Sequence, residues 1–173
     1  MTRALVVVES MFGNTRQVAE AVAEGLRESR IVEVVEVVDV AAAPSAPSAD
    51  VLVLGGPTHA FGMSRPATRA DAVARGASVS ERDRSTGLRE YLDALRHASQ
   101  PSVVATFDTR IRKRGLPGSA ARAARRRLVR AGSRAPLPPE SFFVADVAGP
   151  LLPGELDRAR AWGARLAGAV AAR

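Results

Sequence analysis

Near its N-terminus the chain reads Val6-Val7-Val8-Glu9-Ser10-Met11-Phe12-Gly13-Asn14-Thr15. The apolar run predicts a buried strand, and the polar turn after it opens directly into a helical pattern. A tight turn of this kind aims free backbone N–H groups, together with the Ser10 and Thr15 hydroxyls, at one spot. The helix dipole favours an anion there, so a phosphate is the predicted guest. The alternative is a purely structural turn with Asn14 as the helix cap.

Strands and helices alternate along the rest of the chain. Predicted strands cover 3–8, 31–40, 50–54, 102–107 and 141–147, and predicted helices cover 14–28, 66–77, 86–97, 119–130 and 155–171. The alternation predicts an α/β fold, in which right-handed crossovers cover both faces of a parallel sheet. We expect Tyr91 and Trp162 in the core, because both stand at helical spacing among apolar neighbours.

Ligands of such sheets bind beyond the carboxyl ends of the strands. Two further loops are therefore candidates for the same site as the first turn. One follows the third strand and reads Pro57-Thr58-His59-Ala60-Phe61-Gly62, and the other follows the fourth strand and reads Phe107-Asp108-Thr109-Arg110. The alternative for the second loop is a plain turn with Phe61 packed into the core.

Composition removes several classes of function. The chain has no cysteine, which excludes disulfides, thiol catalysis and thiolate metal sites, and its two histidines argue against a histidine-based metal site. Met1-Thr2-Arg3 runs straight into a strand and no apolar run could cross a membrane, so we expect a soluble cytoplasmic protein. A phosphoacceptor receiver domain is excluded because Glu9 stands alone and the third strand ends in glycines. A nucleoside-triphosphatase is excluded because no Gly-Lys-Ser/Thr is present.

The three loops together resemble the flavodoxin family. Ser10, Gly13 and Thr15 match that family's FMN phosphate loop, Ser/Thr-x-Thr-Gly-x-Thr, whereas Phe12 replaces a hydroxyl residue. The second loop is similar to the one that flanks the flavin ring, with Phe61 or His59 where many flavodoxins have tryptophan or tyrosine. The third lies where the last FMN loop should be, without the usual tyrosine.

The resemblance implies a single flavodoxin-like domain over 1–173. Its fold would be a three-layer sandwich around a five-stranded parallel sheet in the order 2-1-3-4-5. It further implies noncovalent FMN, held by all three loops, and electron transfer between protein partners with no catalytic residue and no metal. An NAD(P)H-dependent quinone or small-molecule reductase is the first alternative, with Arg110, Arg112 and Lys113 for the phosphates of the nucleotide. An interaction module without FMN is the second, and the oligomeric state stays open.

The segment 110–134 is strongly basic. The chain has 25 Lys and Arg against 18 Asp and Glu, a formal net charge of +7. This segment contains no acid and ten basic residues, namely Arg110, Arg112, Lys113, Arg114, Arg122, Arg125, Arg126, Arg127, Arg130 and Arg134. A solvated helix face is one interpretation. In the other, positive charge near a flavin raises its reduction potential above that of typical flavodoxins, which are acidic. Nucleic-acid binding is a weaker interpretation, because only 4% of the residues are aromatic.

Overall fold

A parallel sheet forms the middle layer of the protein. The computed structural model describes residues 1–96, 101–113, 115 and 117–172. The strands are β1 Arg3–Val8, β2 Val34–Asp39, β3 Val51–His59, β4 Gly62–Met63, β5 Val103–Ile111 and β6 Glu140–Val144. They lie in the order β2-β1-β3-β5-β6, all parallel, and the short β4 pairs antiparallel with β3. The predicted order 2-1-3-4-5 is confirmed, since β4 is a hairpin strand added to the five main strands.

Helices cover both faces of the sheet. They are α1 Asn14–Glu28, α2 Pro66–Ala74, α3 Glu81–Ser85, α4 Leu88–Leu95, α5 Ala120–Arg130 and α6 Glu155–Ala171, with a 3-10 turn at Val40–Ala42. Apolar residues of α1 and α6 pack together on one face, and those of α4 and α5 pack on the other. The architecture is thus the expected three-layer α/β sandwich.

Aromatic side chains are central to both cores. Phe107, Phe142 and Trp162 meet edge to face on the α1–α6 side, with ring centroids 6.0 to 6.4 Å apart. Tyr91 is buried on the other side, where its hydroxyl donates to the Pro44 carbonyl at 3.1 Å. Burial raises the pKa of Tyr91 to about 12. The predictions that Trp162 and Tyr91 lie in the core are confirmed.

Two strands run further than the sequence predicted. β3 continues through Gly55 and Gly56 to His59, because its end pairs in register with Phe107–Thr109 of β5. The residues Pro57–His59 and Asp108–Arg110 therefore lie on strands and not in loops. This pairing fixes which side chains reach the ligand edge of the sheet, since successive residues of a strand point to opposite faces.

Several helix predictions also need correction. The helix predicted over 86–97 begins at Leu88, because the Glu90 carboxylate accepts the Gly87 N–H at 2.8 Å and caps the helix there. Its predicted end at His97 lies outside the described residues. In α6, the apolar side chain of Leu156 is exposed. Glu155 is buried in its place and accepts the Phe143 N–H at 2.7 Å.

Candidate functional site

A cleft of about 270 Å³ opens at the carboxyl ends of β1, β3 and β5. It brings together part of each of the three predicted loops. The predicted site residues that line it are Met11, Phe12, Asn14, Thr15, Pro57, Thr58, His59, Ala60, Thr109 and Arg110. Gly13 lies in the turn between lining residues, whereas Ser10, Phe61, Gly62, Phe107 and Asp108 are not part of the lining.

The turn before α1 is shaped by Gly13 and Ser10. Gly13 has a left-handed φ of 87°, and the Ser10 hydroxyl oxygen accepts the N–H of Gly13 at 3.1 Å and of Arg16 at 3.3 Å. Ser10 therefore closes the turn from within and lines a smaller neighbouring cavity. The oxygen acts as acceptor in both bonds, so the Ser10 O–H can still donate to a ligand, and the convergence of the Ser10 and Thr15 hydroxyls on one phosphate stays a prediction. The N–H groups of Asn14 and Thr15, in the first turn of α1, have no carbonyl four residues back within the helix.

Thr15 joins the start of α1 to the end of β5. Its hydroxyl oxygen lies 2.7 Å from that of Thr109, and both side chains are almost fully buried beside the cleft. A bond between two hydroxyls uses one proton, so the second proton of the pair is available to a ligand. The pair thus offers the cleft one donor at the point where the start of α1 meets the end of β5.

Asn14 has a structural partner across the site. Its side-chain amide donates to the Ala148 carbonyl at 3.1 Å, which attaches the segment after β6 to the start of α1. The residue at the cap position is Gly13, which makes no side-chain cap bond, while the Ser10 hydroxyl accepts the first-turn Arg16 N–H. Asn14 is therefore not the helix cap that the structural alternative predicted.

The second predicted loop is a tight hairpin between β3 and β4. His59 pairs with Gly62, and the two residues between them, Ala60 and Phe61, have left-handed φ values of 41° and 71°. Phe61 is 58% exposed at the tip and is not packed into the core. His59 and Ala60 of this hairpin line the cleft, and burial, with the charge of Arg69, lowers the pKa of His59.

In the third segment the pleat of β5 decides which residues reach the cleft. Phe107 is buried in the core and Asp108 is buried on the opposite face. The Oδ2 atom of Asp108 accepts hydrogen bonds from the Thr58 and Ser119 hydroxyls and from the Ala121 N–H. Asp108 therefore joins β3 to the start of α5, whereas Thr109 and Arg110 line the cleft.

One wall of the cleft comes from α2, which we did not assign to the site. Thr68, Asp71, Ala72 and Arg75 line it, and Arg75 pairs with Asp71 at 3.0 Å. The spacing 68, 71, 72 and 75 is that of one helix face, a signal that was present in the sequence. It identifies a face but gives no indication that the face covers the strand ends.

A buried polar network lies behind the first turn. Arg69, fully buried, donates to the Ser64 hydroxyl at 2.8 Å and pairs with Glu90 at 3.1 Å. Glu9 follows β1 and accepts the Leu88 N–H at 2.8 Å, while its other carboxyl oxygen has no partner among the described residues. Burial raises the pKa of Glu9 against the opposing effects of its hydrogen bonds and Arg69. Sequence reasoning missed this network.

The basic segment is divided between two places. Arg110 lines the cleft, whereas Arg122, Arg126 and Arg130 are exposed on α5. Arg127 pairs with Asp93 at 3.1 Å, and Arg114 lies outside the described residues. Only a small part of the predicted positive charge is therefore at the cleft.

Comparisons with known proteins were made on sequence and on fold. The family model described as a flavodoxin domain matches residues 5–70. No curated protein sequence matches the chain. A flavodoxin from the domain Archaea has a TM-score of 0.72 and 18% identity, with 98% of this chain and 99% of that chain covered.

Two further solved structures are similar over nearly their whole length. Oxidised flavodoxin 1 from Bacillus cereus gives a TM-score of 0.68 and 17% identity, covering 96% of this chain and 98% of that chain. A flavodoxin, WrbA-like protein from Agrobacterium tumefaciens gives a TM-score of 0.59 and 20% identity, covering 99% of each chain. The resemblance to the flavodoxin family is confirmed by the domain match and by this shared fold.

Within the part of the chain that the structure describes, no helix combines the length and the apolar character that crossing a bilayer requires.

Proposed function

We propose that this flavodoxin-fold chain binds FMN noncovalently in the cleft and carries electrons between protein partners. The observation that supports it best is the start of α1. Its first-turn N–H groups, the left-handed Gly13 and the Thr15–Thr109 hydroxyl pair meet at one end of a cleft at the carboxyl edge of the sheet. This combination suits an anionic group attached to a larger planar molecule.

The lining residues divide into two groups when the cofactor is considered. The turn 11–15 and Thr109 would hold the phosphate with N–H and hydroxyl donors. The end of β3, including Pro57 and His59, and the α2 wall would contact the ring system. FMN, when bound, supplies the redox chemistry, and the residues of the chain hold and orient it. At about 270 Å³ the cleft is slightly smaller than typical pockets of roughly 300–1,000 Å³, so part of the cofactor would stay accessible to a partner.

A titration with FMN and with riboflavin, which lacks the phosphate, tests this proposal. We expect FMN to bind at least about tenfold more tightly, because a difference of about 1.4 kcal/mol corresponds to that ratio and charge-assisted hydrogen bonds supply it. Quenching of flavin fluorescence gives both dissociation constants. Equal affinity for the two flavins would remove the phosphate site from the proposal, and no binding of either would overturn it.

A matched pair of variants locates the site. Thr15→Val removes a hydroxyl that lines the cleft, whereas Thr106→Val removes an equally buried hydroxyl that donates to the Ala121 carbonyl away from it. We expect the first variant to lose most of the preference for FMN over riboflavin and the second to keep it. Equal losses in the two would show that the effect is one of general stability.

Arg110 supports a second candidate function, an NAD(P)H-dependent quinone or small-molecule reductase. Arg110 lines the cleft while its guanidinium donates to the Gly118 carbonyl at 2.8 Å, and Arg112 and Lys113 follow it along the chain. Such a group of cations suits the phosphates of a nicotinamide nucleotide. Steady oxidation of NAD(P)H by the FMN-loaded protein with a quinone, and no protein partner, would favour this function. A colourless protein that ignores FMN would instead favour an interaction module.

A further inference from the structure

The outer face of α5 is basic, and in the part of the chain that the structure describes its arginines are exposed to solvent. Arg122, Arg126 and Arg130 stand four residues apart, so they lie on one side of the helix at intervals of about 6 Å. All three are exposed, and within the described residues none of them has an ion pair. Val129 lies between the last two and is 41% exposed. The face therefore combines positive charge with apolar surface.

A second unusual feature lies at the tip of the β3–β4 hairpin. Phe61 exposes more than half of its surface and has a left-handed backbone, which costs a bulky residue about 1–2 kcal/mol. Burial does not compensate for this cost, since the ring projects into solvent. A strained residue that holds an aromatic ring outward is a reason to look for a binding role.

The hairpin tip and α5 are attached to one another. Gly118 has a left-handed φ of 82°, and a β-carbon there would collide with the Phe61 carbonyl. The same Gly118 accepts a hydrogen bond from Arg110 at 2.8 Å, and the next residue, Ser119, caps α5 by accepting the Arg122 N–H at 3.1 Å. The hairpin tip and the start of α5 are thus held together beside the cleft, and Phe61 and the three arginines are all exposed on these two joined elements.

We propose that this hairpin–α5 surface, defined as Phe61, Arg122, Arg126, Val129 and Arg130, docks an acidic protein. This inference rests on the proposed function as an electron carrier between proteins, and it adds the sign of the charge on the protein partner. Arginine and aromatic residues are those that contribute most to protein interfaces. Arginines that lack carboxylate neighbours attract a negatively charged partner from a distance and orient it before contact.

An acidic protein fits this surface better than a nucleic acid does. Proteins that bind single strands use a basic groove with several aromatic side chains on which successive bases stack. The hairpin–α5 surface has one exposed aromatic ring and follows the convex side of a helix. Its apolar residues, Phe61 and Val129, suit the side chains of a protein interface.

Calorimetric titration with a small [2Fe–2S] ferredoxin chosen for its negative net charge tests the proposal. The protein is used with and without FMN, at low and at high salt. The double reversal Arg122→Glu/Arg126→Glu should weaken binding about tenfold or more at low salt. The control Arg82→Glu/Arg84→Glu, on the exposed side of α3, makes the same change in net charge and should weaken binding less than about threefold.

A third variant tests the aromatic ring separately from the charge. Phe61→Asn removes the aromatic ring, and asparagine tolerates the left-handed backbone conformation of this position. We expect it to weaken binding at both salt concentrations, while the arginine reversals act mainly at low salt.

Several results would overturn the proposal. They are undetectable binding of the ferredoxin, equal losses in the two double variants, and binding of a poly(dT) oligonucleotide as tight as that of the ferredoxin. Ferredoxin binding that follows the expected pattern in a protein that ignores FMN would leave the docking surface standing and remove the proposed cofactor. The two proposals therefore fail separately.

Discussion

The hydroxyl oxygens of Thr15 and Thr109 lie 2.7 Å apart and connect the start of α1 with the end of β5. In the sheet, β3 alone separates β5 from β1, the strand that leads into α1. The carboxyl ends of these parallel strands lie at one edge, so the start of α1 and the end of β5 can meet there. The bond consumes one of the two hydroxyl protons, so the pair is both a structural link and a donor for a ligand. Each threonine therefore contributes to stability and to the proposed phosphate site.

Each single replacement of these threonines by valine should lower the free energy of unfolding, and the two losses should not add in the double variant. Thr15→Val or Thr109→Val leaves the other buried hydroxyl without its partner, which costs about 1–3 kcal/mol in the free energy of unfolding. The double variant removes both polar groups at little change in shape, so its cost should be less than the sum of the single costs. Urea unfolding of the FMN-free protein measures all three, and additive costs would contradict the direct bond.

Asp108 should matter for stability and little for FMN. Its Oδ2 atom accepts three hydrogen bonds that join β3, β5 and the start of α5, and the residue is fully buried away from the cleft. Asp108→Asn weakens charge-assisted bonds and should lower the free energy of unfolding by about 1–3 kcal/mol. We expect the FMN dissociation constant of the folded variant to change less than about threefold, a shift of roughly 0.6 kcal/mol.

The control for this change is Asp93→Asn on the surface. Asp93 pairs with Arg127 in an exposed ion pair, and such pairs contribute about 0–1 kcal/mol. Equal destabilisation by the two variants would contradict a special role for Asp108. A large loss of FMN affinity in Asp108→Asn would instead place this carboxylate among the cofactor contacts, as the sequence first indicated.

Glu9 should make stability fall as the pH rises. Burial raises its pKa above the ordinary value of 4.5, so the folded protein keeps a proton that the unfolded chain has already lost. Between pH 4.5 and the raised pKa the unfolded state binds fewer protons, and the free energy of unfolding therefore decreases with rising pH. Glu9→Gln should lack this part of the slope because an amide cannot ionise. Its amide oxygen can still accept the Leu88 N–H, so the change preserves this contact.

Urea unfolding across a pH series compares wild type with Glu9→Gln. His59, whose lowered pKa gives the opposite slope as the pH falls below its usual 6.5, is present in both proteins and cancels in the difference. Glu36→Gln, an exposed change on β2, serves as the control and should leave the slope unchanged. A Glu9→Gln variant with the wild-type slope would show that folding does not raise the pKa of Glu9.

The sequence predicted which segments form strands because their local patterns are strong, whereas the order 2-1-3-4-5 was implied by the family resemblance. The run at Val6–Val8 and the helical spacing after Asn14 need no distant partner to be recognised. By contrast, the continuation of β3 through Gly55 and Gly56 depends on pairing with Phe107–Thr109 of β5, which no local pattern shows. The pleat that buries Asp108 and presents Thr109 to the cleft follows from the same pairing.

Side-chain type alone was also an incomplete guide to the site. The Ser10 hydroxyl has the residue type expected of a phosphate ligand, and in the fold its oxygen also accepts two N–H groups of its own turn, a second role that the residue type does not show. The α2 wall carries a recognisable face at Thr68, Asp71 and Arg75, but its position over the strand ends is a tertiary property. The sequence therefore identifies candidate site residues, and the partners that each polar atom has in the fold are needed to assign a role to each of them.

Arg110 should raise the reduction potential of bound FMN more than Arg126 on the outer face of α5 does. It is the member of 110–134 that lines the cleft, whereas Arg122 and Arg126 are exposed on α5. A unit charge about 8 Å from the ring contributes roughly 0.5–2 kcal/mol for effective dielectric constants of about 80 to 20, or about 20–90 mV for one electron. Arg110→Gln should therefore lower the potential by tens of millivolts, measured by redox titration of the FMN-loaded protein.

Arg126→Gln removes the same charge at a distance and should shift the potential by less than half as much. Equal shifts in the two variants would mean that the net charge of the protein, and not the position of Arg110, sets the potential.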